Sequence, residues 1–214
     1  MIPWRWLGEV EHGAAVAQQE AARAAILAGD GDAQVVFLAS HPPTITLGHR
    51  ADRANVLVDP AAAAAAGVAI VATSRGGDVT YHGPGQLMIY PVVRVRSVVG
   101  YLAAVAEEIV AAAAACAVPG ARFERDPAGV WLGDAKLAAC GLHLARGVAI
   151  HGWAWNVATP PSAWDMIVPC GLRTPVVSLA EAAAALGALP PPPVAELAER
   201  LGPAVAARLS AAVV

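Results

Sequence analysis

Apolar residues run in two rhythms along the chain. Gln34 to Ala39, apolar without a break from Val35, reads as a buried strand; a turn at His41-Pro42-Pro43 follows, then a second strand over Thr44–Leu47. Asp59 before Pro60 predicts a capped helix over 60–66, ended by Gly67 and followed by a strand at 68–72. Residues 74–85 break the pattern with glycine and polar side chains, and 86–93 return to a strand. A long helical pattern occupies 97–116. Residues 121–157 alternate as a β-meander with turns near 126–129, 133–134 and 146–147. The remainder is an irregular stretch at 161–175, a short helix at 178–186, a proline spacer at 190–193 and a last helix near 194–212. Helices interspersed with an antiparallel meander predict an α/β (α+β) fold with a mixed, largely antiparallel sheet flanked by helices.

Composition narrows the class. In 214 residues, 57% are hydrophobic and 14% charged, which excludes intrinsic disorder and predicts one domain, 1–214. The charge-free stretches 60–74 and 147–164 are too short or too interrupted by polar residues and prolines to cross a bilayer, and the N-terminus lacks a signal-peptide core. No membrane is expected. A net charge of −3 without a basic run excludes nucleic acid as a partner. Three cysteines without a close pair suit a reducing, cytoplasmic setting with free thiols. No metal and no cofactor is implied.

Candidate chemistry concentrates in a few places. The loop Ser74–Gly85 gathers Arg75 with Thr80, Tyr81 and His82 among glycines, a composition suited to lining an anion site or an oxyanion hole. It is neither a P-loop nor a dinucleotide fingerprint, because the lysine is elsewhere and a strand follows. Cys116 reads as helix core and Cys140 as buried strand. Cys170, in the irregular Val168-Pro169-Cys170-Gly171, stays open between a structural and a reactive thiol. Lys136 is the single lysine beside thirteen arginines; it reads as a strand-edge charge or as an ammonium that favours a thiolate. His82, His143 and His151 lack zinc-ligand spacing, and His143 and His151 are placed to face each other across the 146–147 turn. Trp131, Trp153 and Trp155 read as core, with Trp153 able to wall an apolar channel.

Together these segments resemble the lipoyl(octanoyl) transferases. Arg75 to Tyr90 is similar to that family's RGGxxTxHxPGQ signature and the strand after it, and His41 to Gly48 resembles its HPPxxTLG element. Gly129–Trp131, Lys136–Ala139, His151-Gly152 with Asn156-Val157, and Ile167–Gly171 follow in the family's order, so the likeness spans about 35–175. Departures are Cys140 and His143, where aliphatic or basic residues are common, and His49, where arginine is often seen. The resemblance implies the catalytic fold of the biotin and lipoate protein ligases. It implies an acyl-carrying Cys170 with Lys136 as its pKa-lowering partner. It also implies an acyl pocket built from Arg75, Gly76, Gly77, Asp78, Val79, Thr80, Tyr81, His82, Ala139, Cys140, Gly141, Gly152, Trp153 and Ala154.

The implied reaction moves an octanoyl group from octanoyl-acyl carrier protein, through a cysteine thioester, to the lysine amine of a lipoyl domain. Acceptors would be the E2 subunits of 2-oxoacid dehydrogenases and the glycine cleavage H protein. Thioester to amide runs downhill, so no ATP is required. Rival readings are an ATP-dependent lipoate ligase, a cysteine thioesterase, and a non-catalytic acyl-binding protein. Arg50, Arg53, Arg94 and Arg96 are candidate docking residues for an acidic carrier protein.

Overall fold

The computed structural model describes residues 1–169 and 174–212, the side chain of Ala212 excepted. Its strands are β1 (Trp4–Glu9), β2 (Val35–Ser40), β3 (Thr44–Leu47), β4 (Ala69–Ala72), β5 (Val79–His82), β6 (Gln86–Arg94), β7 (Ala121–Arg125), β8 (Ala128–Leu132), β9 (Ala135–Ala145) and β10 (Val148–Asn156). Its helices are α1 (His12–Leu27), α2 (Pro60–Ala65), α3 (Val98–Ala115), α4 (Leu179–Ala185) and α5 (Val194–Ala212).

Seven strands form one sheet in the order β1-β2-β6-β10-β9-β8-β7. Only β1 and β2 run parallel in it; every other neighbouring pair is antiparallel. The expected mixed sheet is present, and a separate three-stranded sheet, β4-β3-β5, accompanies it. The central strands are apolar on both faces. Val36 and Leu38 of β2, Leu87, Ile89 and Val93 of β6, and Trp153 and Trp155 of β10 enter one cluster with α3 and α5. The intervening Phe37, Met88, Tyr90, Val92, Ile150 and Ala154 enter another against α1. A period of two is present but hidden, because both faces are buried.

Asp59 caps α2 as the sequence suggests, accepting from the amides of Ala61 and Ala62; in addition Ser97 accepts from the Gly100 amide, and Ser178 forms a capping box with Glu181. Helix α3 is apolar and long enough to cross a membrane by length and composition. Here its apolar side chains Tyr101, Val105 and Ile109 are buried in the core against the sheet, while Arg208 of α5 pairs with Glu107 and Glu108 at its surface. Cys116 caps α3 half-buried at the seam with α5, and so lies at the edge of the helix core rather than inside it.

Two strands and one helix fall outside the pattern reading. The alternation Trp4-Arg5-Trp6 forms β1. Helix α1 is concealed because its buried residues are His12, Ala15, Gln19 and Ile26, a stripe that is half polar. Val79–His82, inside the glycine-rich loop, is the strand β5, buried at all four positions.

Candidate active site

The site forms where β6 and β10 part. Ala149 pairs with Val93 and Trp153 with Ile89, but between them stands Pro91, which has no N–H to give to the ladder. There β10 leaves extended geometry: His151 has φ +59° and Gly152 φ +154°. A Cβ on Gly152 would sit 2.3 Å from the Ile89 carbonyl oxygen, so only glycine fits. The freed His151 amide donates to Gln19 Oε1 at 2.7 Å, which accounts for the polar stripe of α1. Opposite, the loop before β5 lies directly on β9. Gly76 N donates to Leu142 O at 2.9 Å, and a Cβ on Gly141 would come within 3.1 Å of Gly76 O.

Between these walls runs a cleft of about 490 Å³. Of the residues expected around an acyl pocket, Arg75, Gly76, Gly77, Thr80 and His82 line one side, and Ala139, Cys140, Gly141, Gly152, Trp153 and Ala154 the other. Three expected residues do not reach it. Val79 and Tyr81 alternate with Thr80 and His82 along β5 and turn away into an apolar cluster with Ala163 and Ile167. The Asp78 carboxylate accepts from Asp52 N at 2.8 Å and Asn55 Nδ2 at 2.5 Å, tying the 52–55 turn to the loop. His12, Met88, Tyr90 and His151 line the cleft unforeseen, because α1 and the even face of β6 reach it only through tertiary packing.

Its polar end is a set of histidines held neutral. His12 lies between His82 and His151, with ring centroids 6.2 and 6.4 Å away, and edge-on to His41 at 5.5 Å. Burial, then the His41 and Arg75 charges, lowers the His12 pKa to about 4. Burial, then His12 and Arg75, lowers that of His151 to about 3. His82 is held well below its ordinary value by burial and by Arg75, and His41 is lowered chiefly by burial. Arg75 itself is 7% exposed; its Nε and an Nη donate to Thr46 Oγ1 and its other Nη to Gly76 O. His143, expected to face His151, pairs with Ile150 instead, one residue out of register.

A second recess of about 360 Å³ shares Thr80 and Ala139 with the cleft and contains Lys136, Asn156, Pro169, Thr174 and Val176. Lys136 is 8% exposed, with Nζ 4.6 Å from the centroid of the Trp131 ring. Its backbone is held on both sides: Lys136 N donates to Pro175 O at 2.8 Å, and Val177 N donates to Lys136 O at 3.1 Å. Val168 N donates to Asn55 O at 2.8 Å. Cys170, the expected nucleophile, lies outside the described residues with Gly171, Leu172 and Arg173. Pro169 and Thr174, which bracket it, both line the Lys136 recess. Cys140 lines the cleft, but burial pushes its thiol up to about 12 despite Lys136 nearby. Burial also raises the Cys116 thiol.

The four candidate docking arginines divide. Arg50 lines an open groove that continues past Gly77 to Lys136 and Cys140, and Arg53 is exposed in the adjoining turn. Arg94 ends β6, about 27 Å from Gln86 by the strand's rise, and Arg96 lies just past it; there Arg94 donates to Ile26 O.

The model of the lipoyl protein ligase A/B catalytic domain matches residues 13–206. An octanoyltransferase of Solibacter usitatus is 40% identical over 180 residues, covering 82% of this chain and 81% of its own. One of Chloroflexus aurantiacus is 44% identical over 173 residues (78% and 75%), and one of Chloroflexus aggregans 40% over 203 (91% and 89%). Among solved structures, a bipartite lipoate protein ligase from Thermoplasma acidophilum superposes with TM-score 0.69 at 16% identity, covering 98% of this chain and 85% of that one. Biotin protein ligase from Leishmania major superposes with TM-score 0.57 at 14% identity, covering 99% and 76%. At those identities the two structures establish likeness of fold.

Proposed function

The chain belongs to the lipoyl protein ligase A/B catalytic-domain family, and from that premise we propose that it works as one catalytic domain carrying its acyl group on Cys170, with Lys136 as the partner of that thiol. It is an acyltransferase that moves octanoyl groups for protein lipoylation. The observation that carries the Cys170 reading is the recess. The single lysine lines a pocket whose rim includes both residues flanking segment 170–173, and that pocket adjoins the cleft, sharing Thr80 and Ala139 with it.

The chemistry follows from those positions. An ammonium held near a thiol favours its thiolate. The Cys170 thiolate attacks the carbonyl carbon of an octanoyl thioester on acyl carrier protein; the carrier's thiol departs and takes up a proton. The alkyl chain extends along the cleft, with about 0.8 kcal/mol for each CH₂ buried. The ε-amine of a lipoyl-domain lysine then attacks the acyl-enzyme, Cys170 leaves as thiolate, and Lys136 relays the proton lost by the amine. Arg50 and Arg53, beside the mouth, are the arginines placed to meet an acidic carrier protein. The lipoyl domains of E2 subunits and the glycine cleavage H protein serve as acceptors, in the cytoplasm.

Incubation with octanoyl-acyl carrier protein in the absence of ATP, followed by intact mass, tests this. The expected result is one octanoyl adduct, absent from Cys170→Ser and discharged by added lipoyl domain with formation of the amide. Discharge at the same rate without that domain would indicate a thioesterase. A strict need for ATP would indicate a ligase.

A further inference from the structure

In the recess beside Lys136, one buried amide has a free end. Asn156, the last residue of β10, is 2% exposed. Its side-chain orientation is set by a chain of donors that starts at Arg75. Two guanidinium N–H groups fill the lone pairs of Thr46 Oγ1 at 3.0 and 2.8 Å, so the Thr46 hydroxyl hydrogen is left for His82 Nε2 at 3.2 Å. The proton of the neutral imidazole is then on Nδ1, which donates to Gln86 Oε1 at 3.0 Å. Gln86 Nε2 in turn donates to Tyr81 O at 3.1 Å and to Asn156 Oδ1 at 2.9 Å. With its oxygen occupied, Asn156 presents Nδ2 on the other side. Among the described residues that nitrogen has no hydrogen-bond partner, it is not one of the sealed buried atoms, and the residue lines the Lys136 recess. Five groups in series thus hold one amide on the recess that Lys136 also lines.

We propose that Asn156 is a catalytic residue whose Nδ2–H donates to the acyl carbonyl oxygen as it becomes an oxyanion, with Gln86 as the positioning residue. This deepens the reading above and rests on Cys170 being the acyl carrier. In the first half-reaction the Cys170 sulfur forms a bond to the carbonyl carbon, and the C=O π pair moves onto oxygen, where Asn156 meets it. The pair returns, and the bond to the carrier's sulfur breaks. In the second half the amine nitrogen forms the new bond, and the pair returns as the Cys170 C–S bond breaks. Asn156 transfers no proton in either step. A preorganised donor of this kind acts only as charge develops on oxygen, so it lowers the barrier without tightening substrate binding.

The test uses the full chain with Asn156→Ala, which removes the donor without adding charge, and Asn156→Asp, which keeps the acceptor for Gln86 but puts a carboxylate in place of the donor. Acyl-enzyme formation from octanoyl-acyl carrier protein is followed by single-turnover mass spectrometry. Alkylation of Cys170 by iodoacetamide, a displacement in which no oxyanion forms, is followed beside it. Both variants should acylate about 10²–10³-fold more slowly; the uncharged Asn156→Ala should do so with KM near wild type and alkylation at the wild-type rate, whereas the carboxylate of Asn156→Asp should also slow alkylation by disfavouring the thiolate. Acylation within threefold of wild type in either variant would overturn the proposal. Equal loss of acylation and alkylation in Asn156→Ala would make Asn156 structural and overturn it as well. Mapping the wild-type octanoyl adduct to a peptide without Cys170 would instead overturn the parent reading.

Discussion

Lys136 is the residue on which the proposed chemistry turns, and its surroundings make it easy to probe. It is the only lysine, and the two described cysteines are held as thiols: Cys140 at about 12 and Cys116 raised by burial. Iodoacetamide near neutral pH should therefore modify Cys170 and spare the other two, as peptide mapping will read. Removing the charge with Lys136→Met should shift the pH midpoint of that alkylation upward by about 1–3 pH units. Lys136→Arg keeps a charge but cannot readily release a proton, so it should preserve much of the alkylation profile and fail in the aminolysis step. A Met variant with the wild-type midpoint would remove Lys136 as the thiol's partner. An Arg variant that transfers at full rate would remove it as the proton relay. Cys116→Ala should leave transfer within about twofold of wild type, since Cys116 sits at the α3–α5 seam, away from the cleft and the recess.

Elements carrying glycine and proline punctuation were the readable ones. The Arg75–Gly85 stretch, the helices α2, α3 and α4, and the meander turns all show in local composition, and the glycines that line the cleft came with them. Helix α1 did not, for a physical reason: its buried face holds His12 and Gln19 against β10, so the 3.6-residue apolar stripe is interrupted where the helix meets the cleft. Nor could β5 be separated from the loop around it, since burial on both faces erases its alternation. The Pro91–Gly152 crossing was equally hidden, because it joins residues on different strands. It carries a sharp expectation. Gly152→Ala places a methyl against Ile89 O and Pro91 Cδ on rigid backbone. It should cost about 3 kcal/mol or more and lower Tm by roughly 6–12 °C for a chain of this length. Thermal melts with Gly147→Ala, at an open hairpin glycine of φ +79°, serve as the comparison. Equal melting of the two variants would show that the crossing is not tight.

For the molecule as a whole, the histidine cluster sets a limit on acid tolerance that no single segment reveals. His12, His41, His82 and His151 come from α1, the turn before β3, β5 and β10, and meet only when α1 packs on the large sheet and β5 is in place. The charged and titratable groups facing them are Arg75, His143, Arg23, Glu9, Glu11 and Tyr90. All four imidazoles have folded-state pKa values below the ordinary 6.5, with His12 at about 4 and His151 at about 3. Between 6.5 and those values the unfolded chain binds protons that the folded chain refuses, so stability rises with pH in that window. The contribution is complete above pH 6.5 and is lost as pH falls toward 3–4. Each histidine that stays neutral adds a slope of about 1.4 kcal/mol per pH unit. Urea unfolding at pH 7, 6, 5 and 4 should show the midpoint falling steeply below pH 6. His12→Gln, which retains a polar side chain but no titration, should flatten that fall by about one proton. If the variant and the wild type lose stability in parallel from pH 6 to 4, His12 is already protonated in the folded state, and the cleft has a positive charge at its end instead of a neutral wall for an alkyl chain.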